Sequence, residues 1–199
     1  MLVKVCGLKN PEEICALDHL VDYVGFIFYR GSKRYATRFP ATYRAKRVGV
    51  FVHAPIDEIY QKVEEHALDF VQLHGEESPA ICAELSKKTG VIKAFGVYPE
   101  FDFNQVNDYI NYVDFFLFDT KTVNHGGSGT PFDWTILERY QQAVPFFLSG
   151  GISPTSIEKI RAFKHPALAG IDLNSGFETA PATKDISLIQ SFLHDVITD

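Results

Sequence analysis

Eight short apolar runs, spaced almost evenly along 199 residues and separated by helix-forming stretches, predict an α/β fold, a compact (β/α)8 TIM barrel. The runs are continuous rather than alternating, as in parallel strands buried on both faces. Their C-terminal ends fall near residues 6, 28, 52, 74, 96, 119, 149 and 173, so successive ends lie 22 to 30 residues apart. A strand of about 5 residues, a helix of about 11 and two short loops fill such a step. An open doubly wound sheet also reaches eight strands, but no GxGxxG follows the first run. A chain of this length builds one core, so a single domain spanning residues 1–199 is expected.

The strands read, in order, "LVKVC", "DYVGFIF", "RVGVFV", "LDFVQLH", "VIKAFGV", "VDFFLFD", "PFFLSG" and "LAGIDLN". Helices are expected between them. "NPEEICALDHL" has Asn10 as N-cap, Pro11 at the first helical position and two glutamates in the first turn. "PIDEIYQKVEEH", "ESPAICAELSKKTG" and "SPTSIEKIRAF" carry similar start signals, and Gly90 reads as the C-cap of the second of these. The helix signal in "FNQVNDYIN" is faint.

Hydrophobic residues make up 46% and charged residues 22% of the chain, proportions of a soluble globular domain. Cys6, Cys15 and Cys82 are an odd number without CxxC spacing, which argues against a disulfide framework and a zinc site and for a reducing, cytoplasmic location. No basic leader precedes an apolar segment, and no run reaches the length of a membrane span. A net charge of -6 weighs against nucleic acid as a partner. The histidines show neither HxH nor HExxH spacing, so no metal is expected. Oligomeric state is not legible.

In such a barrel the chemistry belongs at the C-terminal ends of the strands. Alternation puts Leu2, Lys4 and Cys6 on one face of the first strand and Val3 and Val5 on the other. Cys6 is then either a small buried apolar residue or a proton-transfer group at the mouth. Asp119 ends the sixth run, where an acid either caps the next loop or does chemistry. The turns "LSGGI" and "DLNSG", after the seventh and eighth runs, present backbone N–H groups of Gly150, Gly151, Ser175 and Gly176 where these barrels hold phosphate. The bland reading of both is a tight glycine turn. Arg34 stands in a basic loop that is either solvated or holds a carboxylate. His74 is either a structural histidine or a ligand contact, and Asp172 either a rim carboxylate or the partner of an interior lysine. The "GGSG" loop at residues 126–129 is a lid, an anion nest or a flexible connection.

"KVCGLKN", "GFIFYRGSKRY", "VGVFV", "VQLHGEE", "IKAFGV", "FDTKT" with "GGSGTPFDW", "LSGGISP" and "GIDLNSGFE" occur in this order, and together they resemble phosphoribosylanthranilate isomerases from residue 3 to about 195. The resemblance implies an Amadori rearrangement of a phosphoribosyl substrate in tryptophan biosynthesis, without cofactor. It puts the general base on Cys6, the general acid on Asp119, an anthranilate contact on Arg34 and supporting roles on His74 and Asp172. Phosphate is expected on the backbone of Gly151, Ser175 and Gly176. Asn174 departs from the family pattern, which commonly has serine there. Two other classes compete: a Schiff-base lyase using Lys93 or Lys121, and a phosphosugar-binding barrel without activity.

Overall fold

The computed structural model describes residues 1–40, 44–120 and 133–197. Eight parallel strands close into a barrel in sequence order: β1 (Leu2–Val5), β2 (Tyr23–Ile27), β3 (Lys46–Phe51), β4 (Phe70–Leu73), β5 (Gly90–Val97), β6 (Phe115–Thr120), β7 (Phe146–Leu148) and β8 (Leu168–Leu173). Each strand stops within one residue of the end of its apolar run, because the run is the segment that both sides of the sheet bury. A short antiparallel ribbon, β9 (Glu178–Ala180) with β10 (Thr183–Lys184), follows β8. Its turn passes through Ala182 at φ 65°, with Pro181 before it.

The helices depart from a strict strand-helix alternation. α1 (Pro11–Leu17) starts as expected, with the Asn10 side chain accepting from the Glu12 N–H at 3.0 Å. α2 (Ile56–His66), α3 (Pro79–Leu85), α4 (Ile157–Ala162) and α5 (Ile186–Ile197) complete the set. No helix follows β2 among the described residues; there Tyr35 forms a lone parallel bridge with Ile27. After β5 and β6 the described residues make 3-10 turns, Phe103–Tyr109 and Trp134–Arg139, and no α-helix. Gly90 is not the cap of α3 but the first residue of β5, its N–H bonded to Asp69 O. A Cβ there would meet the Phe70 ring at 2.4 Å, so glycine serves strand packing rather than helix termination.

Side-chain alternation divides the core in two. Tyr23, Val48, Phe70, Ile92, Ala94, Leu117 and Phe147 fill the barrel interior toward its N-terminal end. There Tyr23 meets the edges of Phe70 and Phe147 at centroid distances of 5.6 and 5.4 Å. The intervening residues, among them Val3, Val5, Val71, Phe116, Phe118 and Leu173, face the helices. One end of the barrel is thus plugged by hydrocarbon. The next inward positions along β1, β4, β6 and β8 are polar, and they build the opposite end.

Candidate active site

Lys4 and Asp172 are paired residues of the β1–β8 ladder, and their side chains bond at 2.8 Å with both groups buried. An interior ammonium needs a counter-charge, and its ladder neighbour supplies one. Of the two sequence readings of Asp172, partner of an interior lysine describes the geometry, and its carboxylate also reaches the pocket above.

Cys6 follows Lys4 by one inward position at the end of β1, buried to 3% exposure. Gly25 on β2 makes room for it, since a Cβ there would lie 2.8 Å from Cys6 Sγ. Burial pushes the thiol up; Lys4 and Lys184 draw it back, and Asp172 opposes them. The negative charge that opposes the thiolate therefore belongs to Asp172.

Asp119 is the inward residue after Leu117 on β6. Burial raises its carboxyl to about 6, with the Asp172 charge adding to the effect and the Thr120 N–H and Lys4 opposing it. Its Oδ1 accepts from the Thr120 N–H at 2.7 Å. His74 Nε2 stands 3.7 Å from Asp119 Oδ2. Gln72, buried below, donates through Nε2 to His74 Nδ1 at 2.9 Å, which leaves the proton on the ring nitrogen that faces Asp119.

Gly150 and Gly151 adopt φ of 80° and 69° in the turn after β7. A Cβ on Gly150 would lie 2.7 Å from Asp119 Oδ1 and 2.5 Å from Thr120 N, so this turn touches the acid directly. Among the described residues the N–H groups of Gly151 and Ser175 donate no hydrogen bond to the protein. Two unbonded donors on adjacent turns form an anion-binding concavity.

One open pocket is lined by Cys6, Arg34, His74, Asp119, Gly150, Gly151, Asp172 and Ser175. Gly176 does not line it; its missing side chain lets the turn after β8 abut Ile152, whose carbonyl oxygen would sit 2.2 Å from a Cβ. Lys93 is elsewhere. Ile92 and Ala94 point into the barrel, so Lys93 faces the helix layer and bonds Glu77 Oε2 at 3.1 Å and the Gly75 carbonyl at 2.6 Å. It has no access to the pocket as a nucleophile. Lys121 and the glycine loop at 126–129 lie outside the described residues.

Sequence reading missed Gln72, Glu178 and Lys184. Gln72 is recoverable, because it shares the inward parity of His74 two residues on. Glu178 and Lys184 sit on the ribbon, which no apolar run announced. Among the described residues no group of three or more His, Cys, Asp or Glu is placed to hold a metal ion. No helix there is long and apolar enough to cross a membrane.

A closed parallel barrel whose C-terminal mouth joins a thiol, a carboxyl raised toward neutrality and a pair of unbonded backbone donors defines a proton-transfer enzyme of the TIM-barrel class. Comparison with known proteins supplies the particular family. The family model for N-(5'phosphoribosyl)anthranilate (PRA) isomerase matches residues 3–195. The N-(5'-phosphoribosyl)anthranilate isomerase of Parabacteroides distasonis is 45% identical, over 99% of this chain and 94% of that one. The crystal structure of phosphoribosyl anthranilate isomerase from Thermotoga maritima superposes with a TM-score of 0.84 at 33% identity, covering 100% of both chains. A crystal structure of the same kind of enzyme in complex with reduced 1-(o-carboxyphenylamino)-1-deoxyribulose 5-phosphate superposes at 0.81, with 30% identity and full coverage of both chains. This chain belongs to the N-(5'-phosphoribosyl)anthranilate isomerase family.

Proposed function

We propose that this chain converts N-(5'-phosphoribosyl)anthranilate to 1-(o-carboxyphenylamino)-1-deoxyribulose 5-phosphate, an isomerisation of tryptophan biosynthesis, with Cys6 and Asp119 as its acid-base pair. The observation that carries the reading is the convergence of these two groups, from strands on different sides of the barrel, on one pocket beside unbonded backbone donors.

The furanose ring opens only when its ring oxygen receives a proton. Asp119, raised to about 6, keeps an appreciable protonated fraction near neutrality, which an ordinary carboxyl does not. Ring opening leaves an iminium between the anilino nitrogen and C1', and this cation acidifies the proton on C2'. Cys6 as thiolate removes that proton, and the C2'–H electron pair moves into the C1'–C2' bond to neutralise the iminium. The resulting enolamine takes a proton at C1' as the C2' hydroxyl loses one, and the ketone forms. The C1'–ring-oxygen bond breaks with its electron pair left on the protonated oxygen while the nitrogen lone pair forms the iminium, and the remaining steps are proton transfers with double-bond shifts, so atoms and electrons balance within the substrate and two side chains.

The phosphate rests on the N–H groups of Gly151 and Ser175, with Gly150 and Gly176 shaping the two turns. Arg34 receives the anthranilate carboxylate, His74 faces the acid, and Asp172 holds Lys4 below the base. The three free thiols support a reducing, cytoplasmic setting.

The test is turnover of phosphoribosylanthranilate generated in situ, followed by loss of anthraniloyl fluorescence, with a chelator present and Cys6→Ala measured alongside. Conversion that survives the chelator and collapses in Cys6→Ala is expected. No conversion by the folded parent rejects the substrate; full activity in Cys6→Ala returns the cysteine to a packing role.

A further inference from the structure

Arg34 is not free to choose its orientation. Glu178, the first residue of β9, takes Arg34 Nε on Oε1 at 2.8 Å and Nη2 on Oε2 at 2.6 Å. This is the side-on fork in which planar guanidinium and carboxylate match. The same Oε1 accepts from Lys184 Nζ at 2.7 Å. Lys184, on β10, is fully buried in its side chain and also bonds Asn174 Oδ1 at 2.9 Å. The Glu178 side chain is 4% exposed. One buried carboxylate therefore binds the loop after β2 to the ribbon, and through Lys184 to the turn after β8 that carries Ser175.

Two consequences follow from charge and geometry. With Nε and Nη2 committed to Glu178, the guanidinium plane is set, and Nη1 has no partner among the described residues while Arg34 lines the pocket. Arg34, Glu178 and Lys184 also sum to one positive charge, which the carboxylate of an aryl substrate neutralises. We propose that Glu178, backed by Lys184, is a positioning residue that aims Arg34 at the substrate's aryl carboxylate and so sets the preference for a carboxylated over an uncarboxylated arylamine. This rests on the carboxylate-binding role given above to Arg34. Asn174 belongs to the same device: an amide oxygen long enough to receive Lys184 stands where the family commonly has serine.

The experiment measures kcat and KM for phosphoribosylanthranilate and for its analogue without the carboxylate, N-(5'-phosphoribosyl)aniline, in the parent, Glu178→Gln, Arg34→Ala and the double variant. Loss of a charge-assisted contact is expected to raise KM for the carboxylated substrate about 10- to 100-fold in Glu178→Gln. The analogue's KM should stay near the parent's, as should kcat for both substrates. In the Arg34→Ala background the Glu178 substitution should add nothing. An equal rise in KM for both substrates, or an undiminished effect without Arg34, makes Glu178 merely structural and overturns the proposal. A normal KM in Glu178→Gln beside a raised one in Arg34→Ala overturns the positioning role alone; a normal KM in Arg34→Ala removes the underlying Arg34 assignment, and the proposal with it. Glu178→Asp keeps the charge but withdraws the fork by one methylene, so it tests the same geometry should Glu178→Gln not fold: a smaller rise confined to the carboxylated substrate supports the proposal, and no rise overturns it.

Discussion

Two of the buried lysines, Lys4 inside the barrel and Lys93 outside it, each pair with a carboxylate and do different work. Lys4 sits within the strands, bonded to Asp172 and within reach of Cys6; burial alone would lower its affinity for a proton, but these two partners raise it above the ordinary value. Lys93 lies between sheet and helices, where burial outweighs Glu77 and lowers it. The outer pair is closed on itself: Lys93 donates to two backbone carbonyls besides Glu77, while Glu77 accepts from the backbone of His53 and Gly75. It ties the ends of β3 and β4 to β5. The inner pair leaves its ammonium turned partly to a thiol. Each ammonium acts on a thiol, and what separates the pairs is where that thiol lies: Cys6 lines the pocket, whereas Cys82, the neighbour of Lys93, is buried within α3 and does not.

That contrast is sharpest in activity. Asp119→Asn and Cys6→Ser should each lower kcat/KM by roughly 10² to 10⁴, measured on folded protein by fluorescence turnover. The proposed mechanism requires Asp119 protonated and Cys6 ionised in the molecules that turn over. Below about pH 6 the rate should climb about tenfold per pH unit with the thiolate, and above it loss of the acid should cancel further gain, giving a plateau. In Asp119→Asn the residual rate should lack that break; a break persisting at the same pH assigns it to another group.

Stripping each lysine of its carboxylate tests the comparison directly. Asp172→Asn and Glu77→Gln should each cost about 3–5 kcal/mol, because a buried ammonium is left uncompensated. A chain of this size loses roughly 2–4 °C of Tm per kcal/mol, read by thermal melts. Well below the melt, Glu77→Gln should retain a kcat near the parent's while Asp172→Asn should not. Equal catalytic losses would erase the distinction between the pairs.

Gly150→Ala should cost about 1–2 kcal/mol from its positive φ, and more from the approach of the new methyl to Thr120 and Asp119, with activity falling alongside stability. The last effect has the opposite sign. Asp119 holds its proton more tightly in the folded state than the ordinary carboxyl value of 3.8, so ionising it near neutrality opposes folding. This penalty is absent below about pH 4, grows up to about 6 and is constant above. Asp119→Asn should therefore gain about 2–3 kcal/mol at pH 7 and almost nothing at about pH 3, seen as a Tm difference that vanishes on acidification.

The strand ends, the inward parity of Lys4 and Cys6, and the glycine turns after β7 and β8 were legible because each depends on a few consecutive residues. The Gly90 cap failed for the same reason turned round: glycine after a helical stretch is a local signal, but the Phe70 ring that demands it belongs to another strand. Among the described residues no α-helix follows β2, β5 or β6; a lone bridge of Tyr35 to Ile27 follows β2 and 3-10 turns follow β5 and β6, so a strand of this barrel can be flanked without an α-helix.

Local order in the chain decided which residues are strand, which face of each strand is apolar and which turns can bend through positive φ, since backbone sterics and burial act within a few residues. Closure of the barrel decided the rest. Lys4 meets Asp172 across 168 positions and Arg34 meets Glu178 across 144, because ring closure makes the first strand a neighbour of the last. Only that closure sets which charges share a low-dielectric mouth, and with it how strongly Cys6 and Asp119 hold their protons.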